Sequence, residues 1–417
     1  MRPLRQTAAH RTGRLAELVC SNTFKSTELS TAHGALKQEM RELDSLILQC
    51  ADLARVPAGT ALAVDRDVFA DAVTERLGAH HTLSVIRDEV GEIPSSPAII
   101  ATGPLTGNSL AASIRQRVGA DALAFYDAIA PVVSRESVDE SIVFTASRYD
   151  KETMEGADEG AYLNCPMTVE EYDAFVAALE SADQFHGHEF DEVPYFSGCM
   201  PVEEINARGR ESLRFGPLKP VGLADPRTGR RPHAVVQLRR EDRAGRLWNL
   251  VGFQTRLRIP EQQRVFRMIP GLGEAEFLRY GSIHRNSYAN SPAVLTPALA
   301  LRDDPQIFLA GQITGVEGYT ESTASGLLAG INMSRVLAGK ESIVPPPTTM
   351  LGALYRYLRE ADPRHFQPMN ANFGLVDELE ERVRDKRVKK ERMAERGVQE
   401  MRAWRDANGI TTAVVAA

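Results

Sequence analysis

Apolar residues recur along the chain with two periods, and the switches between them mark its elements. Between residues 32 and 53 the apolar positions Leu36, Met40, Leu43, Leu46, Ile47, Cys50 and Leu53 fall mostly three or four apart, the spacing of one face of a long amphipathic helix. A short apolar run at 61–64 predicts a strand, residues 65–77 a second helix, and the alternation over 83–90 another strand. Residues 98–104 read as a buried strand ending in Ala-Thr-Gly, followed by a helix at 109–118 and a strand at 123–129. The most informative switch comes late. Ile307, Phe308, Leu309 and Ala310 form a short apolar run, Gly311, Gly315 and Gly318 break it, and residues 322–337 resume helical spacing, with Ala324, Ser325, Gly326, Ala329 and Gly330 along one side. A strand, glycine loop and helix in that order can offer bare backbone and free N–H groups to a negatively charged or electron-rich ligand. The same glycines also suit tight strand–helix packing, so the pattern alone leaves both roles open.

Beyond residue 134 the character changes to short mixed elements and loops rich in Gly, Pro and Arg. Alternation at 233–238 and 247–257 predicts an antiparallel sheet, and the first sheet resumes at 307. The expected fold class is therefore α/β, with a discontinuous domain over 1–133 and 300–375, an inserted α+β domain over 134–299, and a charged helical tail over 376–417 that reads as a solvated appendage.

Composition narrows the class. With 43% hydrophobic and 25% charged residues, 417 residues are enough for two or three soluble domains. No apolar run reaches membrane-span length and the N-terminus lacks a signal-peptide core, so a cytoplasmic protein with no membrane partner is expected. Cys20, Cys50, Cys165 and Cys199 are far apart and form no C-x-x-C pair, which indicates neither a disulfide framework nor a metal site. For each of them a buried small hydrophobe is the default role, and a reactive thiol the alternative.

The net charge of −7 conceals a division. Residues 150–192 are almost purely acidic, whereas residues 208–267 hold fifteen Lys or Arg against five Asp or Glu, a local formal charge of +10. Fourteen of the fifteen are arginine, which suits forked contacts with phosphate. A polyanion partner and a solvated face salt-bridged to the acidic stretch are both compatible with this count.

Many short blocks, in order, carry a resemblance. They include LVCSN at 18–22, RVPAG at 55–59, ATGPLT at 101–106, FYDAIAP at 125–131, YLNCPMT at 162–168, RFGPLKPVGL at 214–223, DPRTGRRP at 225–232, HRNSY at 284–288, GQITGVEGYTES at 311–322 and HFQPMN at 365–370. Together they resemble the folate- and FAD-dependent tRNA uracil-C5 methyltransferases (TrmFO type), over most of the chain up to about residue 375. The resemblance implies a Rossmann-like FAD-binding domain and formation of 5-methyluridine at T-loop uridine 54 of tRNA. Its implied carbon donor is 5,10-methylenetetrahydrofolate, and its implied reductant is FAD reduced by NADH or NADPH. It also implies a thiolate that adds to uracil C6, because C5 is otherwise a poor nucleophile.

Residue by residue, Cys199 in FSGCMPVEE matches the family's nucleophile, and Cys20 the cysteine beside the flavin ring. Gly311, Gln312, Gly315, Glu317, Gly318 and Tyr319 match the C-terminal flavin motif, with Thr102 and Gly103 in the Ala-Thr-Gly segment. His284 would stack on the folate pterin, an ordinary histidine being the alternative, and some of Arg214, Lys219, Arg230 and Arg231 would meet tRNA phosphates. The chain departs from the family in one respect. It has no strand followed by G-x-G-x-x-G, and Met1-Arg2-Pro3 matches just after the family's ribose-binding glutamate. The expectation is a domain lacking about thirty family residues at its start, with the first strand and the phosphate loop among them. Two other functions compete: a related wobble-uridine modifying flavoprotein, and a non-catalytic tRNA-binding remnant without flavin.

Overall fold

The computed structural model describes residues 10–103, 106–119, 123–150, 161–185, 200–242, 244–364 and 366–411; for 123–129, 150 and 282–287 it describes the backbone alone. The chain opens with β1 (Thr23–Ser26), α1 (Ala32–Glu42), α2 (Leu46–Leu53), β2 (Arg55–Val56), β3 (Ala61–Val64) and α3 (Arg66–Gly78). β1, β3 and β2 form a small antiparallel sheet in that order. The single long helix expected over 32–53 is two. Asp44 takes a left-handed φ of 56° and Ser45 caps the Leu48 N–H, so the chain turns and starts again. Asp65 likewise caps α3 through the N–H groups of Asp67 and Val68.

The strand expected over 83–90 is absent. No described strand pairs with this stretch, and Leu83, Val85, Ile86 and Val90 stand exposed. β4 (Ala98–Ile100), α4 (Asn108–Val118) and β5 (Leu123–Ile129) follow where the pattern put them.

The middle of the chain builds β6 (Val132–Ser134), β7 (Phe144–Thr145), β8 (Tyr162–Met167), α5 (Val169–Glu180), α6 (Val202–Ala207), α7 (Ser212–Phe215), β9 (Ala234–Arg240), β10 (Leu247–Leu250), α8 (Ile259–Phe266) and β11 (Phe277–Arg279). Six strands pair in the order β11-β6-β10-β9-β8-β7, all antiparallel. Thr168 and Glu171 close a reciprocal capping box on α5. The strand expected over 247–257 stops after Leu250, because Gly252 turns at φ 79° tight against Pro217.

β12 (Ser282–Tyr288) returns antiparallel along the whole of β5. Then come α9 (Ser291–Val294), β13 (Ile307–Leu309), a 3-10 turn (Gly311–Thr314), α10 (Tyr319–Leu337), α11 (Met350–Glu360) and α12 (Lys386–Ala407). β13 pairs in parallel with β4, Ile307 opposite Ala98 and Leu309 opposite Ile100. Apolar side chains gather in two main cores. One joins the early and late segments through Leu36, Cys50, Phe69, Ile100, Leu309, Leu328 and Leu354, and the other draws Val133, Leu163, Phe175, Val236, Trp248 and Phe266 from the middle. The C-terminal helix is not a solvated appendage: Met393, Ala394 and Met401 are buried in the first core, while Arg402 pairs with Glu42 of α1 at 2.8 Å.

Among the described residues, no helix is long and apolar enough to cross a membrane.

Candidate active site

The parallel register of β4 and β13 decides where the site lies. Both strands end on the same side, so Ala101, Thr102 and Gly103 leave β4 beside Ala310, Gly311 and Gln312 leaving β13, and the Ala310 N–H donates to the Ile100 carbonyl at 3.0 Å. Ligands of open α/β sheets sit outside such carboxyl ends. Here that space is a cavity of about 480 Å³. Its wall combines three distant segments: Leu18, Val19, Cys20, Ser21 and Thr23; Thr102 and Gly103; and Gly311, Gln312, Glu317, Gly318 and Tyr319.

The late segment shapes the cavity through its backbone. Gly311 at φ 76° turns the chain out of β13, and its N–H donates to Ser325 Oγ at 3.1 Å. Gln312 Nε2 donates to Glu317 Oε2 at 2.7 Å, fixing two buried polar side chains across the loop. Gly318 caps α10 at φ 112° with no side-chain cap, so the first-turn N–H groups keep their helix-dipole character at the wall. A Cβ on Gly318 would collide with the Glu321 carboxylate, which explains a glycine there. Gly326, about two turns further along the wall, meets nothing within 4 Å where a Cβ would stand. Its face of the helix is open to whatever fills the cavity.

Cys50 and Cys165 differ from Cys20. Cys20 is half-buried on the wall, and its N–H donates to the Tyr319 hydroxyl at 2.7 Å. Cys50 is buried in the first core, and burial pushes its thiol up. Cys165 is buried in β8, where burial pushes its thiol up to about 12. Both suit the role of a small core hydrophobe. Cys199 lies outside the described residues, as does the side chain of His284, whose backbone stands opposite Asp127 in the β5–β12 ladder.

Of the cofactor residues expected from sequence, Cys20, Thr102, Gly103, Gly311, Gln312, Glu317, Gly318 and Tyr319 meet on this one wall. Gly315 does not. It turns at φ 84° behind the wall, where a Cβ would lie 2.5 Å from the Phe366 ring, so it serves packing. The small residues of α10 also divide differently from the single side read in the sequence. Ala324, Ser325 and Ala329 are buried in protein, whereas Ser322, Thr323 and Gly326 line the cavity. Sequence reasoning missed Ser322 and Thr323, although their spacing of three and four from Tyr319 is the available signal. It also missed His33, on the cavity wall 3.2 Å from Glu321, which no local motif marks.

Part of the arginine-rich stretch is committed to neighbouring carboxylates. Arg210 pairs with Asp173 at 2.8 Å, Arg227 with Asp225 at 2.7 Å, and Arg256 and Arg264 with Glu204 and Glu261. Arg214 pairs with Glu211 and donates through Nε to the His233 carbonyl at 3.0 Å. Lys219, Arg230 and Arg231 stay exposed.

The family model for glucose inhibited division protein A matches residues 4–341. A methylenetetrahydrofolate--tRNA-(uracil-5-)-methyltransferase TrmFO of Geobacter sulfurreducens is 54% identical over 405 residues, covering 97% of this chain and 92% of that protein. The chain belongs to the TrmFO family. TrmFO proteins of Pelotomaculum thermopropionicum and Brevibacillus brevis are 54% and 52% identical, over 97% and 95% of this chain and 92% and 90% of theirs. The fold extends further than the TrmFO family. Aquifex aeolicus GidA superposes with a TM-score of 0.67 at 13% identity, over 95% of this chain and 70% of its own, a likeness of fold alone.

Proposed function

We propose that this chain methylates C5 of uridine 54 in the T-loop of tRNA, with 5,10-methylenetetrahydrofolate as carbon donor and FAD bound in the cavity between β4, β13 and α10. The observation that carries this reading is the convergence of Cys20, Thr102, Gly103, Gly311, Gln312 and Tyr319 on one cavity wall at the carboxyl ends of a parallel strand pair. The residues fit a flavin ring. The open face at Gly326 leaves room for a flat group, and the uncapped start of α10 favours the electron-rich edge of one. Reduced by NADH or NADPH, FAD would supply the hydride that completes the methyl group.

The remaining steps belong to the chain and its substrates. The Cys199 thiolate adds to C6 of the uracil, which makes C5 nucleophilic enough to attack the methylene carbon of the folate. Loss of the C5 proton then breaks the methylene–nitrogen bond and expels tetrahydrofolate, leaving an exocyclic methylene at C5. Hydride addition there would make the methyl group, and departure of the thiolate from C6 restores the C5–C6 double bond and frees the base. Reaching C5 requires the base to leave the T-loop stack. His284 stacks on the pterin, and the exposed Lys219, Arg230 and Arg231 reach tRNA phosphates, with Arg214 serving the local structure around Glu211 and His233. The proposed division is a flavin domain over 1–133 and 300–375, an inserted RNA-facing domain over 134–299 and a tail over 376–417. Two separate apolar cores support two domains, although Ala130 and Val133 belong to the second core and Tyr288, Leu295, Leu299 and Met401 to the first.

The test is transfer of labelled carbon from methylenetetrahydrofolate to tRNA, together with trapping on RNA that carries 5-fluorouridine at position 54. Cys199→Ala is expected to abolish the covalent adduct. An adduct of undiminished yield in that variant would remove Cys199 from the role.

A further inference from the structure

The Cys20 segment is held in the cavity wall by a polar latch that reaches into the arginine-bearing sheet. Arg66, at the first position of α3, donates through Nη2 to the Cys20 carbonyl at 2.8 Å and through Nη1 to the Leu18 carbonyl. The other side of the same guanidinium meets Glu241, Nη2 to Oε1 at 3.3 Å and Nε to Oε2. Glu241 follows the last residue of β9, so its carboxylate belongs to the other half of the fold. Burial pushes that carboxyl up, but Arg66, Arg279 and Arg239 outweigh it and hold it below the usual carboxylate range. Asn22, two residues after Cys20, is gripped from the same place. It is fully buried, accepts Arg239 Nε at 3.0 Å, and donates to the carbonyls of Arg240 and Val64 at 2.8 and 2.9 Å. Three consecutive residues, Arg239, Arg240 and Glu241, thus fix both ends of the turn that presents Cys20.

We infer that Arg66 and Glu241 are positioning residues, which set the Cys20 thiol against the cavity by fixing its backbone to the end of β9. An apolar pair of similar volume would fill the space as well. Only a planar guanidinium, oriented by a carboxylate, aims its remaining donors at two carbonyls of one turn. The placement of the latch is independent of the flavin reading; its effect on bound flavin rests on that reading.

The experiment measures alkylation of the purified full chain by iodoacetamide at fixed pH, followed residue by residue by mass spectrometry, in the parent protein, Glu241→Gln, Glu241→Asp and Arg66→Lys. The buried thiols of Cys50 and Cys165 report whether each variant is folded. With those two protected, Glu241→Gln and Arg66→Lys are expected to raise the Cys20 rate by about five-fold, and Glu241→Asp to bring it back near the parent value. If Glu241→Gln exposes the buried thiols, Arg66→Lys decides, since it keeps the charge and loses only the fork. A Cys20 rate within about two-fold of the parent in folded Arg66→Lys overturns the latch. The flavin absorption maximum, recorded on the same samples, separates the two readings. A faster Cys20 with an unshifted flavin band upholds the latch and removes the flavin from this wall.

Discussion

The cavity at the start of α10 and the face built from residues 208–267 are both rich in groups suited to an anionic partner, yet they are assembled differently. The cavity offers mostly backbone: turns at Gly311 and Gly318, a helix start without a side-chain cap, and an open helix face at Gly326. The basic face offers side-chain charge, and neighbouring carboxylates take up part of it, as in Arg210–Asp173 and Arg227–Asp225. Backbone geometry of the first kind keeps its shape whatever charge stands beside it. A formal charge of the second kind can be neutralised by a neighbour, so its local total overstates what remains for RNA.

Glycine substitution gives the largest contrast. Gly315 and Gly229 both turn at positive φ, but a Cβ on Gly315 strikes the Phe366 ring, and one on Gly229, in the basic stretch, meets nothing. Gly315→Ala is expected to cost about 3 kcal/mol, combining backbone strain with overpacking. Gly229→Ala should cost about 1 kcal/mol, from backbone strain alone. Equal shifts in urea denaturation midpoint for the two would erase the contrast.

RNA affinity tests the basic face. Arg230→Ala and Arg231→Ala are each expected to weaken tRNA binding and to lower the slope of log affinity against log salt by about one. Arg227→Ala, whose guanidinium faces Asp225 and the Ser141 carbonyl, should leave that slope unchanged. A filter-binding series across salt concentrations checks both.

Acid–base titration of stability separates the two cores. Glu39 in the first core accepts the Met350 and Leu351 N–H groups at 2.7 and 2.9 Å, and Glu203 in the second accepts the Arg256 N–H at 2.6 Å. Burial pushes each up to about 7 from an ordinary 4.5. Between those values the folded chain binds more protons than the unfolded one, so stability falls as pH rises from 4.5 to 7. Lys37, in the first core only, is pushed by burial down to about 7 from 10.5, so there stability climbs with pH above 7. Thermal denaturation from pH 5 to 9 should show Glu203→Gln flattening the acid limb and Lys37→Met the alkaline limb. An unchanged alkaline limb in Lys37→Met would mean that the amine is not held neutral. The smallest effect expected is at the half-exposed Arg402–Glu42 pair, where Arg402→Ala should cost less than about 1 kcal/mol.

What could be read in advance divides along similar lines. Short-range signals transferred well. The run from Ile307 through Gly318 into a helix, the Ala-Thr-Gly after β4 and the strand at 61–64 stand where periodicity and glycine placed them. Long-range consequences did not. The break at Asp44 and Ser45 requires a left-handed residue that hydrophobic spacing cannot reveal. The burial of α12 depends on α1, more than 300 residues earlier in the chain, receiving Met393 and Met401. Arg66 and Glu241 lie 175 residues apart and match no motif; only the fold brings them to Cys20.

The most direct measurement is FAD titration of the purified chain against its Gly326→Leu variant, read by flavin absorbance and fluorescence. A Cβ at Gly326 meets no protein atom within 4 Å and points into the cavity space, so the variant should fold while filling the proposed ring site. FAD binding by the parent and its loss in folded Gly326→Leu is the predicted result. Equal FAD affinity in the two proteins would contradict the assignment of this cavity to the flavin.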